Sequence, residues 1–253
     1  MIGIYFSGTG NSKYALELFL DNYNKAARAF PLEDKNIIHY IKENKEIVFS
    51  YSVQFSSLPK MLKDFIDHNK HLWRGKIIFV IATMGLFSGD GAGILARRLQ
   101  KYGAEIIGGL HLKMPDSIAD EKALKRPITK NKELVKKAEK KIYCAVKSIK
   151  NGNPPQEGLG FLCHIAGLLG QRLYFQRKTR HYSDKLEINN RKCIGCGKCV
   201  LACPMENLTI SDNIAKANNR CTMCYRCINI CPKQAITLLG KYVVQQGTIE
   251  KYL

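Results

Sequence analysis

The stretch Cys193-Ile-Gly-Cys196-Gly-Lys-Cys199-Val-Leu-Ala-Cys203-Pro204 is answered further on by Cys221-Thr-Met-Cys224-Tyr-Arg-Cys227-Ile-Asn-Ile-Cys231-Pro232. Each cysteine of the second run stands 28 positions after its counterpart in the first, so one unit is used twice. The spacing C-x2-C-x2-C-x3-C-P is the run that wraps cubane iron–sulfur clusters. Three closely spaced thiolates can cap three corners of one cube, while the fourth, on the short helix that follows, points away from it. Gly195 and Gly197 relieve crowding where backbone amides approach cluster sulfurs. Pro204 and Pro232 stop the short helices and turn the chain. A structural zinc site reads differently, as two cysteine pairs held apart by a spacer, and one tetrahedral ion would not use eight thiolates. Disulfides need an oxidising compartment, and nothing in the sequence suggests export.

The repeated run resembles a bacterial-type two-cluster ferredoxin over about residues 184–240. In that family the fourth cysteine of each run ligates the other run's cluster. The resemblance therefore implies one 4Fe–4S cluster on Cys193, Cys196, Cys199 and Cys231, and a second on Cys221, Cys224, Cys227 and Cys203. It also implies short strands around Leu208–Ile210 and Ile236–Leu239. Leu186-Glu-Ile-Asn-Asn190 leads into this module, and the tail beyond Lys241 carries no readable pattern.

Outward from the cysteines, composition sets the bounds. The chain has 253 residues, 45% of them hydrophobic, which allows one large domain or two smaller ones with an ordinary core. Its two other cysteines, Cys144 and Cys163, are expected to be reduced and buried as small apolar groups. Formal net charge is +19, and residues 122–180 hold fifteen Lys and Arg against three Glu. Such a field favours an acidic partner, anionic lipid or nucleic acid, or is simply a solvated helix face. The first residues run straight into a glycine loop, with no basic segment or cleavage site, and the apolar stretch Leu159–Leu169 is too short to span a bilayer. The expectation is a cytoplasmic protein.

At the N-terminus an apolar run, Ile2-Gly-Ile-Tyr-Phe6, stops at Ser7-Gly8-Thr9-Gly10-Asn11-Ser12, and a helical pattern follows from Lys13 to Asp21. Strand, hydroxyl-rich glycine loop, helix: that order puts backbone amides and a helix N-terminus at an anion site. Neither the P-loop spacing nor the third glycine of the dinucleotide fingerprint is present. Further apolar runs at Glu46–Tyr51, Lys76–Ala82 and Ala104–Leu110, with a weaker one at Arg28–Leu32, alternate with helical segments. The first two lead into the loops Ser52-Val53-Gln54-Phe55-Ser-Ser57 and Thr83-Met84-Gly85-Leu-Phe87-Ser-Gly-Asp-Gly91. Pro59 opens one of the helices at a favourable first-turn position. Nearly all-apolar strands between helices indicate an α/β domain with a parallel sheet covered on both faces.

Five such strands suit the flavodoxin-like order 2-1-3-4-5, with the ligand at the carboxyl ends of strands 1 and 3. The loop Ser7, Gly8, Thr9, Gly10, Asn11 and Ser12 resembles the flavodoxin FMN-phosphate loop over a likeness of about residues 1–150. By position, Ser52, Val53, Gln54 and Phe55, with Met84, Gly85 and Phe87, then flank the isoalloxazine ring. Phe55 and Phe87 are candidates to stack on it, or to fold back onto the core; Tyr51 reads as structural.

From Thr129 to Lys150 a helix carries Val135, Ala138, Ile142, Val146 and Ile149 as an apolar stripe, with lysines elsewhere. Asn151-Gly-Asn-Pro-Pro-Gln-Glu-Gly158 is a linker. Leu159–Tyr182 has the content of a helix that packs between domains, His164 being a packing residue; alternatively Phe161, Leu168 and Tyr174 touch a membrane surface. The divisions are thus 1–150, a flavodoxin-like FMN-binding domain; 151–183, a linker and packing helix; and 184–253, a small α+β two-cluster ferredoxin domain.

Together the parts resemble the flavodoxin–ferredoxin fusion proteins of anaerobic bacteria and archaea. That resemblance implies electron transfer between redox partner proteins through two 4Fe–4S clusters and FMN. A flavoenzyme whose clusters feed an FMN that reduces a bound small substrate is the alternative, and a flavodoxin-like part that has lost FMN is a third reading. No Ser/His/Asp set or carboxylate pair marks a catalytic centre. The basic residues come without a nucleic-acid recognition motif, which argues for an acidic redox partner rather than nucleic acid; a peripheral membrane contact and the oligomeric state stay open.

Overall fold

The computed structural model describes the chain apart from residues 87–89, 168, 170, 171, 174–178, 180 and 181. Strands β1 (Ile2–Phe6), β2 (Arg28–Pro31), β3 (Glu46–Ser52), β4 (Ile77–Met84) and β5 (Glu105–Lys113) form one sheet in the order β2-β1-β3-β4-β5. Every neighbouring pair is parallel. This is the flavodoxin-like arrangement, and its switch point falls between β1 and β3.

The two-residue period of a strand explains why both faces are apolar. Ile47, Phe49, Tyr51, Ile78 and Val80 enter one core with Leu62, Ile66, Leu95 and Leu99, from α3 (Lys60–His68) and α4 (Gly91–Gln100). Val48, Phe79 and Ile81 point the other way, onto Leu16, Phe19, Val135 and Ile142 of α1 (Asn11–Tyr23) and α5 (Ile128–Lys150). The stripe expected on α5 is the buried one, apart from Ile149, which is half-buried. Helix α2 (Ile37–Glu43) has no mark in the sequence, since seven residues burying only Ile37 and Ile41 show too little periodicity to stand out.

Past the linker, α6 (Phe161–Gly167) lies against α4, with Phe161 and Leu162 74% and 79% exposed. Of the membrane-contact residues suggested with Phe161, Leu168 and Tyr174 fall outside the described residues. His164 does take a packing position, its Nδ1 3.0 Å from Asp90 Oδ2. No helix among the described residues is long and apolar enough to cross a membrane.

The C-terminal module is built from two small antiparallel pairs. They are β6 (Glu187–Ile188) with β9 (Ile236–Thr237), and β7 (Leu208–Ser211) with β8 (Ile214–Ala217). Two short helices accompany them, α7 (Lys198–Ala202) and α8 (Arg226–Ile230). Cys144 corrects the expectation of burial: it is exposed, being set beside α5's apolar stripe, and Cys163 is half-buried.

Candidate metal centres and cofactor cavity

In each cysteine run the third cysteine lies on a short helix, Cys199 on α7 and Cys227 on α8, and the fourth closes it. To bring the first three thiols to one side, the backbone turns left-handed twice. Gly195 and Gly197 do this at φ 62° and 73°, and the equivalent Met223 and Tyr225 at 58° and 61°. For side-chain-bearing residues that conformation costs about 1–2 kcal/mol each. Tyr225 is held to it by burial and by its hydroxyl, which donates to Asp120 Oδ1 at 3.0 Å.

The eight side chains sort by place. Cys193, Cys196, Cys199 and Cys231 line one cavity; Cys203, Cys221, Cys224 and Cys227 line a second. The resemblance groups the same cysteines together as ligand sets. Amides of Ala215 and Ala235 donate to Cys193 and Cys231 Sγ at 3.4 and 3.3 Å, and those of Asn207 and Met223 to Cys203 and Cys221 Sγ at 3.3 Å. Such amide donors stabilise negative charge on sulfur. Burial pushes the Cys224 thiol up to about 12, and raises Cys199, Cys221 and Cys227. Thiols in that setting ionise when a bound cation takes the proton's place. Among the described residues no group of three or more His, Cys, Asp and Glu is placed to hold a single metal ion. Four cysteines lining one cavity suit a cubane, which takes a thiolate on each of its four irons.

A larger cavity, of about 490 Å3, opens at the carboxyl ends of β3 and β4, where ligands of this topology bind. Ser52, Val53, Gln54, Phe55, Met84 and Gly85 all line it, as the positional reading expected. Phe87 lies outside the described residues. Phe55, at φ 47°, meets Tyr182 edge-on with ring centroids 5.7 Å apart. Tyr51 is structural: it is wholly buried, and its hydroxyl donates to the Gly91 carbonyl.

The glycine loop is placed differently from the ring loops. Asn11 stands at the cavity wall. Thr9 Oγ1 instead shares a hydrogen bond with Ser117 Oγ at 2.9 Å, and Ser12 Oγ with Thr83 Oγ1 at 2.8 Å. Arg226 donates twice to the Ser7 carbonyl, at 2.9 and 3.1 Å. A Cβ on Gly8 would lie 2.0 Å from the Cys224 carbonyl oxygen, and one on Gly10 2.4 Å from Ile249 Cγ2. Ser7 Oγ, Asn11 Oδ1 and Gln54 Oε1 are nonetheless buried without a hydrogen-bond partner. Buried polar atoms left so are rare; of these three, Asn11 and Gln54 line the large cavity.

Residues 185–234 match the 4Fe-4S dicluster domain family. The chain is a flavodoxin-like domain joined to a 4Fe–4S dicluster domain. Solved structures similar to part of this chain include the two-electron reduced flavodoxin of Megasphaera elsdenii, 19% identical with a TM-score of 0.43, covering 58% of this chain and 99% of that one. Oxidised Flavodoxin 2 of Bacillus cereus is 17% identical with a TM-score of 0.45, covering 60% and 97%. The rubredoxin oxygen:oxidoreductase of Desulfovibrio gigas is 14% identical with a TM-score of 0.41, covering 58% of this chain and 36% of that one. No curated protein matches the chain.

Several residues that organise the fusion were invisible to motif reading. Asp120, buried, accepts from the Leu238, Leu239 and Gly240 amides at 2.6, 2.9 and 3.2 Å besides Tyr225, clamping the cluster module to the segment after β5. Arg226 also reaches Glu33 Oε1 at 2.6 Å. Fully buried Asp90 pairs with Arg97 and Arg172, and Arg172 Nε donates to the Ser56 carbonyl at 3.2 Å. That one guanidinium ties the linker to both loops beside the cavity. The tail reaches back to the first domain, with the Ile249 amide donating to the Thr9 carbonyl at 2.9 Å. A lone Asp or Arg gives no spacing signal, and its partners lie far off in sequence.

Proposed function

We propose that the fusion is an electron-transfer protein that passes electrons between redox partner proteins through two 4Fe–4S clusters and one FMN. The observation that carries this reading is a shared wall: Cys224 and Tyr225 line both the second cysteine cavity and the large cavity. A flavin ring in the latter would sit against a ligand of the second cluster. FMN, when bound, supplies exchange between single electrons and pairs, while each cluster handles one electron at a time. The loops at 52–56 and 84–86 would flank its ring, and the backbone amides at the start of α1 would face its phosphate, the Asn11 side-chain Nδ2 being taken by the Pro115 carbonyl at 2.7 Å. The cavity volume lies within the usual span for small-molecule sites, roughly 300–1,000 Å3, and the partnerless Asn11 and Gln54 oxygens supply acceptors to a ligand.

Anaerobic purification with iron, sulfide and flavin analysis tests this. About eight irons and eight sulfides per chain are expected from two cubanes, with one FMN. Cys203→Ser and Cys221→Ser, members of different runs, should remove the same cluster and leave the same residual spectrum. Colourless protein carrying zinc and no acid-labile sulfide would defeat the reading. Saturable reduction of a small acceptor without any partner protein would favour the flavoenzyme instead.

A further inference from the structure

We propose that the surface around Cys196 is a docking face for an acidic redox protein, an inference that rests on the cluster reading above. The two cysteine cavities differ in situation. Each holds two buried cysteines, Cys199 and Cys231 in the first and Cys224 and Cys227 in the second, but Cys224 belongs to the first domain's own core, and no cysteine of the second is exposed. In the first cavity Cys196 is exposed, so this is the end from which a partner can approach. Ile194 and Ile210, which line that cavity with it, are exposed, as is Leu201, at 90%, on the helix α7 that carries Lys198 and Cys199. Ile194 and Ile210 line that cavity's rim together with Lys198 and Lys233, and exposed Arg191 and Lys192 directly precede Cys193.

An apolar centre in a charged rim is the anatomy of a protein interface. The rim is cationic: Arg191, Lys192, Lys198 and Lys233 form no ion pair among the described residues, whereas Asp212 is already taken by Lys216 at 3.0 Å. Four unpaired cations around an exposed cluster ligand repel a basic partner and draw carboxylates. The denser lysine set on α5 is a separate surface. Lys132, Lys136 and Lys140 are exposed there on a helix packed against the sheet, and none of them lines either cysteine cavity. The basic stretch conspicuous in the sequence is therefore not the docking face.

The test uses the full-length, cluster-loaded, oxidised protein, with acidic plastocyanin as probe and basic cytochrome c as control. Binding is measured by calorimetry, and contacts are mapped by carbodiimide cross-linking of lysines to the probe's carboxylates. Plastocyanin should bind and cytochrome c should not, with affinity falling about tenfold or more between about 0.02 and 0.2 M salt. Cross-links should fall on Lys192, Lys198 and Lys233. K192E/K198E should weaken binding about tenfold or more, as should L201E, while K136E/K140E leaves it within about twofold. Equal weakening by K136E/K140E, cross-links on α5, or binding of phosphatidylglycerol vesicles or single-stranded DNA to this face in preference to plastocyanin would overturn the inference. Iron and sulfide are assayed first: a chain lacking both overturns the cluster reading itself, whereas a loaded chain with unselective binding overturns only the docking face.

Discussion

Asp116 illustrates how burial, rather than a neighbouring charge, sets a side chain's state. It lines the large cavity with its carboxyl packed on Gly85, and burial raises its pKa, Lys125 and Arg126 only partly offsetting this. A carboxyl raised on folding binds its proton more tightly in the native state. Its stabilisation is full below the unfolded value and is lost as pH rises through the raised native one. Asp116→Asn, which keeps an acceptor for the Ile118 amide at 2.8 Å, removes that loss. Thermal midpoints of the two proteins should coincide in acid and separate above the ordinary carboxylate range, with the variant the more stable; parallel curves would refute it. The same scale holds a lesson about glycine. The first cysteine run announces its two left-handed turns with Gly195 and Gly197, but Met223 and Tyr225 make the same turns without any such mark.

Among the elements, the glycine loop between β1 and α1 is the junction of the molecule. Its residue types read as an anion loop, and that reading is chemically sound. What the types leave out is the loop's other face, on which the second cysteine run and the tail are seated. Gly8→Ala makes the point measurable. The added methyl would sit 2.0 Å from a backbone carbonyl, which cannot swing aside as a side chain can. A destabilisation of about 1–3 kcal/mol is expected for overpacking of this kind, read as a lower thermal midpoint together with faster proteolysis between the domains. Unchanged values would mean that the two domains do not dock through this loop. Helix α5 follows its sequence pattern closely, because periodic burial is local information. Short α2 does not, since two buried isoleucines make no period.

On the scale of the whole molecule, the tail closes the structure. Ile249 and Tyr252 enter the core shared by α1 and α5, and the Gln246 side-chain amide donates to the Ile228 and Cys231 carbonyls at 2.7 Å. Ile249→Ala should cost about 2–5 kcal/mol as a buried truncation and lower the midpoint of both domains together; two separated transitions with only one shifted would show that the tail does not couple them. Spacing settled in advance that two matching runs of four cysteines are present, and periodicity that five apolar runs build a covered parallel sheet, because both are properties of neighbours a few residues apart; the crossing of the two runs was implied only by the family resemblance. The same local rules placed the loops at 52–57 and 83–91 at the carboxyl ends of β3 and β4. Only the tertiary structure decided that Cys224 belongs to the walls of two cavities at once, that Asp120 clamps the modules together, and that Arg226 holds Ser7 across a separation of 219 residues. Contacts of that length are chosen by whichever arrangement buries apolar surface while pairing every enclosed charge, and no short stretch of the chain encodes that choice alone.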